Sequence, residues 1–158
     1  MTTHQHAQPP TPPTHTNRQA QAGEQAAPFA QLMQEVMATA DRFAHRQHVH
    51  LTWFAVRRYG TASAIPLVSE GIQGVARYQG APQKYNATVS RAWVELVGHH
   101  TDHSHATDFD TFADQNPALL DKRLLTRFYR PATLACHEAR TDWVTPDLAP
   151  FPWNTTDA

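Results

Sequence analysis

The stretch Phe29-Ala-Gln-Leu32-Met33-Gln-Glu-Val36-Met37-Ala-Thr-Ala40-Asp-Arg-Phe43-Ala44 repeats its apolar side chains every three or four residues. That is the period of a helix and not of a strand. The spacing continues through Val49, Thr52, Phe54 and Val56 to Gly60, a residue suited to close a helix. The pattern predicts one long first helix, kinked near Asp41. Ser63 is placed to cap a second helix with Pro66 in its first turn, and Ile65, Val68, Ile72 and Val75 form its apolar stripe up to about Gly80. After a connection containing Pro82, a third helix is predicted from about Asn86. Val89, Trp93, Leu96 and Val97 face inward, and Arg91 and Glu95 pair at i, i+4 on the outside.

Beyond Val97 the pattern changes. Gly98-His-His-Thr-Asp-His-Ser-His-Ala-Thr107 has neither apolar period nor bulk and reads as a loop. Thr107 or Asp108 then caps a short helix carrying Phe109 and Phe112, and Asn116-Pro117 opens another with Leu119, Leu120, Leu124, Leu125 and Phe128 on its apolar face. Two more short helical turns, around Pro131 and Glu138, precede Pro146, Pro150 and Pro152, which impose an extended end. No repeat, heptad array or strand-like alternation is present. The fold class is therefore all-α: a single-domain helical bundle with three main helices, several short C-terminal helices and an extended Pro-rich end. Residues 1–27 carry Pro9, Pro10, Pro12 and Pro13 among Gln, Thr, His and Ala, too little apolar bulk to offset ordering, and are expected to be a disordered tail ahead of a helical domain at 28–158.

A chain of 158 residues can bury a core without disulfides or metal. Its formal net charge of −1 supplies no basic field, which argues against nucleic acid and anionic membrane as partners. The one cysteine, Cys136, excludes an internal disulfide, CxxC chemistry and a multi-Cys zinc site. With no membrane-span-like run and no signal-peptide pattern, a cytoplasmic location is expected. Eleven histidines against thirteen Lys plus Arg predict a charge that rises steeply below about pH 6.5. Only two of the cations are lysines, Lys84 and Lys122, a bias that suggests a GC-rich bacterial source.

Chemistry concentrates in two clusters. His45 and His48, three apart on one helix face, can both present a nitrogen to one divalent metal ion, with Asp41 a turn earlier to orient His45. Two ligands fall short of the three a stable site wants, and spacing picks none of Glu70, Glu95, His99 or His137 as the third. Without metal, either imidazole can serve as general base near neutral pH, with Tyr85 as acid or oxyanion donor. Asn86 and Thr88 then hold polar groups of a small-molecule substrate, and Trp53 and Trp93 wall the pocket. The competing reading makes Asn86 and Thr88 helix-start residues and the tryptophans core. His99, His100, His103 and His105 can chelate a metal loosely, but imply no fixed geometry. Cys136 beside His137 is better placed as a passive thiol than as a nucleophile.

The combination His45-Arg-Gln-His48-Val, Lys84-Tyr-Asn-Ala-Thr88, Ala92-Trp93, Leu119-Leu-Asp121, Phe128-Tyr-Arg-Pro131, Ala139-Arg140 and Trp143-Val-Thr-Pro146-Asp-Leu148 resembles a group of small bacterial all-helical proteins of unassigned function. The resemblance spans about Asp41 to Pro152. It implies a helical fold and transfers no catalytic role. In that group a histidine often stands where this chain has Asn86, so a ligand or base from that position would be missing here. Two functions stay open: a small cytoplasmic enzyme, for instance of secondary metabolism, with His45 and His48 facing Tyr85, Asn86 and Thr88 across an interior pocket, or a non-catalytic binding or interaction module.

Overall fold

The computed structural model describes residues 16–154. Its helices are α1 (Thr16–Met37), α2 (His45–Tyr59), α3 (Thr61–Tyr78), α4 (Ala87–Asp102), α5 (Phe109–Gln115), α6 (Pro131–Ala135) and α7 (His137–Thr141), with short 3₁₀ segments at Pro82–Lys84, Pro117–Leu120, Lys122–Arg127 and Pro152–Asn154. No strand occurs among the described residues, so the fold is all-α as the periodicity requires. No described helix is long and apolar enough to cross a membrane. Of the tail expected at 1–27, residues 1–15 lie outside the described part, and from Thr16 the backbone belongs to α1, which runs through Pro28.

The single long first helix of the sequence reading is in fact two. α1 stops at Met37, and residues 38–44 turn the chain back so that α2 packs on α1. Phe29, Leu32 and Val36 of α1 are buried against Leu51, Ala55 and Val56 of α2 and Ala64, Leu67 and Val68 of α3. A continuous helix would carry the two apolar stripes away from each other; the turn lets each cover the other. Gly60, at φ 81°, makes the α2–α3 corner in a region other residues seldom enter. α3 starts at Thr61, two residues before the expected Ser63 cap, which leaves Pro66 inside the helix.

The core has two lobes. α1, α2 and α3 enclose the first; the second joins Val49 and Trp53 of α2 and Ala92, Trp93, Leu96 and Val97 of α4 to Phe109, Phe112, Leu119, Leu125, Tyr129 and Phe151 from the C-terminal part. α2 and α4 are buried on both sides, as a helix between two apolar layers must be. The segment after α7 straps over the second lobe. Buried Tyr129 donates its hydroxyl proton to the Val144 carbonyl at 2.6 Å, and Asp147 accepts from the Arg130 N–H at 3.0 Å and from Thr133 Oγ1 at 2.6 Å. Trp143 lies 4.3 Å from the Arg91 guanidinium, so the Arg91–Glu95 pair, 3.7 Å apart, is partly covered instead of facing open water as the sequence suggests.

Gly71 marks where α1 meets α3: a Cβ there would overlap the Phe29 ring, whereas one at Gly74, one turn later, would meet nothing within 4 Å. Gly71→Ala is expected to lower the unfolding free energy by about 1–3 kcal/mol through overpacking. Gly74→Ala is expected to raise it by about 0.5–1 kcal/mol through helix propensity. Urea titrations of both variants measure the contrast.

Candidate functional site

His45 opens α2. The Ala44 N–H donates to Gln47 Oε1 at 3.0 Å, satisfying one free donor of the first turn, and the ring of His45 reaches across to the C-terminal half. Its Nε2 lies 2.9 Å from the carbonyl oxygen of Leu119. A carbonyl only accepts, so Nε2 carries the proton and Nδ1 is the lone pair of the neutral ring. Burial pushes the pKa of His45 down, against the opposing pull of the Leu119 bond and aided by the nearby Lys122 ammonium. Its ring stands edge-on to Trp93, centroids 4.6 Å apart.

His48 follows one turn later, its ring centroid 6.4 Å from that of His45 and 6.2 Å from that of Phe43. The residue as a whole is part-exposed, but its Nε2 is buried and has no hydrogen-bond partner in the protein. Burial, followed by the neighbouring His45, holds its pKa down to about 4. At neutral pH both rings are uncharged.

The pair lines a groove of about 490 Å³ together with Phe43, Ile72, Val89, Trp93, Leu125 and Leu134; exposed Lys122 and Thr126 stand at its edge. The volume falls in the usual range of small-molecule sites. Phe43 and Ile72 pack on the first lobe, and Val89, Trp93, Leu125 and Leu134 belong to the second. The groove is the seam between them. No Asp or Glu lines it.

The other predicted cluster does not join this groove. Asn86 is the N-cap of α4, accepting from the Val89 N–H at 3.0 Å, and its Nδ2 donates to the Leu134 carbonyl at 2.7 Å. Thr88 is fully buried; its hydroxyl donates to the Asp142 carbonyl at 2.7 Å and accepts from the Val144 N–H at 3.0 Å. These polar atoms are consumed in fastening α6 and the C-terminal strap to α4, so the expected substrate contacts are structural bonds here. Tyr85 points its hydroxyl to Ser69 and Ser90, and burial raises its pKa, which makes it a poorer acid. Trp53 packs inside the second lobe beside Phe109 and Phe112, with the Arg57 guanidinium 4.5 Å from its ring, and lines no part of the groove. Of the seven predicted site residues, the groove brings together His45, His48 and Trp93.

Asp41 lies in the α1–α2 turn and not one helical turn before His45, so the orienting partner of that imidazole is the Leu119 carbonyl. A carbonyl on the far nitrogen is also the usual outer partner of a metal-bound histidine. On His45 a divalent ion would accordingly have to use Nδ1. Zinc wants a third protein ligand, and among the described residues no group of three or more His, Cys, Asp or Glu is placed to hold an ion. The His-rich loop is partly helix: α4 continues to Asp102, and His103 caps it, its Nδ1 2.8 Å from the His99 carbonyl. His99 packs on Trp153 at 4.9 Å, burial that a free loop would lack. Cys136 is the N-cap of α7, away from the groove.

Sequence reasoning missed Phe43, Leu125, Leu134 and Lys122 as site residues. Phe43 and Leu125 read as ordinary apolar-face positions, Leu134 as part of a short helical turn, and only the rarity of lysine set Lys122 apart. No protein-family model, curated protein or solved structure matches the chain.

Thr88→Val preserves shape but strips both bonds to the strap. It is expected to lower the unfolding free energy by about 2–3 kcal/mol, since a carbonyl and an N–H are left unpaired; thermal and urea melts test this. The His48 shift carries a pH signature. With a folded pKa of about 4 against an ordinary value of 6.5, the unfolded chain binds the proton that the fold refuses. Stability should therefore fall as pH drops from about 6.5 to about 4, by up to about 3 kcal/mol, and level off below. Burial of His45 adds in the same direction. Urea unfolding at pH 7 and pH 4.5 should show a smaller loss in His48→Leu, which at pH 7 should be no less stable than the parent. A variant with the parent's full pH dependence would contradict the assignment.

Proposed function

We propose that this protein binds a small, mainly apolar molecule in the groove at the lobe seam, with a polar contact at His48 Nε2. The observation that carries the reading is that nitrogen itself, buried and unpaired among apolar side chains. An unpaired buried polar atom costs about 1–3 kcal/mol, and a leucine at the same place would avoid the cost. Side chains cover that nitrogen, so a ligand seated in the groove recovers the cost by displacing them and hydrogen-bonding to His48. Binding fits the geometry better than acid–base catalysis, because an imidazole that titrates near pH 4 is a weak base at neutral pH and Tyr85 is not at hand as its acid. One observation favours the enzyme reading: the fixed tautomer of His45 leaves Nδ1 as a lone pair. The lone cysteine and the lysine-poor composition support the bacterial cytoplasm as its setting.

Nile red, a neutral dye with carbonyl and ring-nitrogen acceptors, is a suitable probe. One equivalent is expected to bind with a blue-shifted emission. Val89→Phe, which fills the groove, should abolish the signal, and His48→Leu should weaken binding by about tenfold, the worth of one hydrogen bond of about 1.4 kcal/mol. Equal binding by Val89→Phe and the parent would place the dye elsewhere and end the proposal.

A further inference from the structure

Taking that reading of the groove as its basis, we infer that the ligand is an amphiphilic monocarboxylate whose acidic head pairs with Lys122 and whose body, apolar but for one hydrogen-bonding group at His48, lies along the groove. Three observations converge on this chemistry. The groove contains one cation, Lys122, and no Asp or Glu to neutralise it. The neighbouring carboxylate, Asp121, is already engaged: it accepts from Arg123 Nε and Nη2, both at 3.1 Å, and from the Arg123 N–H at 2.9 Å. Lys122 itself forms no ion pair or hydrogen bond in the described structure, so its charge is free to meet a ligand in the groove it lines.

The rest of the lining suits the remainder of such a molecule. Phe43, Ile72, Val89, Trp93, Leu125 and Leu134 present hydrocarbon and aromatic surface to an alkyl or aryl body. The imidazoles are neutral, so they bring no charge to the body and leave Lys122 as the only full charge at the site. A cationic ligand would meet that ammonium with nothing to offset it. A neutral one would leave it unused, and a dianion would bring a second charge for which the groove has no partner.

The probes are decanoate and 1-decanol, which share a chain and differ in the charged head, titrated by calorimetry into the full-length protein at neutral pH and low salt. Decanoate is expected to bind more tightly than decanol by about three- to fivefold, the value of one partly exposed ion pair. Lys122→Met should remove that preference by weakening decanoate alone, Lys122→Arg should restore most of it, and half-molar salt should compress it. Lys122 is exposed, so these substitutions leave the core untouched. If decanol matches decanoate, or the preference survives in Lys122→Met, the carboxylate inference is overturned while the groove stands as a binding site. If neither compound binds and Nile red also fails, the groove reading falls and this inference with it.

Discussion

The second helix is apolar on both sides, and that constraint organises the molecule. Leu51, Ala55 and Val56 need one cover and Val49 and Trp53 need another. No single neighbour can reach both faces of a helix about 10 Å across. The chain meets the demand by turning back after Met37 so that α1 and α3 form the first layer, and by spending everything after α4 on the second. α4 shares the central position, with Val94 in the first lobe and Ala92, Trp93, Leu96 and Val97 in the second.

A two-lobed core has a seam, and the seam is where the chemistry lies. His45 and His48 sit at the start of α2, where the first layer ends in Phe43 and Ile72 and the second begins in Trp93, Leu125 and Leu134. The bond from His45 to the Leu119 carbonyl ties α2 to the second layer there. His48 has no such bond, which leaves its Nε2, like Arg91 Nε, unpaired in an interior that satisfies Thr52, Thr88, Asn86 and Tyr129. Local departures from good packing of this kind are expected where a protein meets something else.

The histidines also behave differently in the fold from what their number implies. His50 stacks on Phe109 at 4.1 Å and on Phe54 at 4.6 Å, and His99 packs on Trp153. Desolvation is the leading cause of lowered pKa for His45, His48, His50, His99 and His100 alike. The rise in positive charge predicted below about pH 6.5 is thereby pushed, for these residues, to more acid conditions. Composition counts imidazoles; burial decides when they titrate.

The helical class, the start of α4 at Asn86, a cap of α5 at Thr107 or Asp108, of which the fold uses Asp108, and the apolar stripes are legible in the residues alone, because each follows from interactions among positions a few apart. The sequence also singled out His45, His48 and Trp93. Where the first long stripe divides, that α4 outlasts Val97, and whether Asn86 and Thr88 face a ligand or a backbone were settled only by partners far along the chain: Leu51 and Val68 for the turn, Trp153 for His99, and Leu134, Asp142 and Val144 for the two polar side chains. A side chain's chemistry can be read from its identity, but the atom that uses up its hydrogen bonds is supplied by packing, and packing brings together residues whose separation in sequence carries no signal.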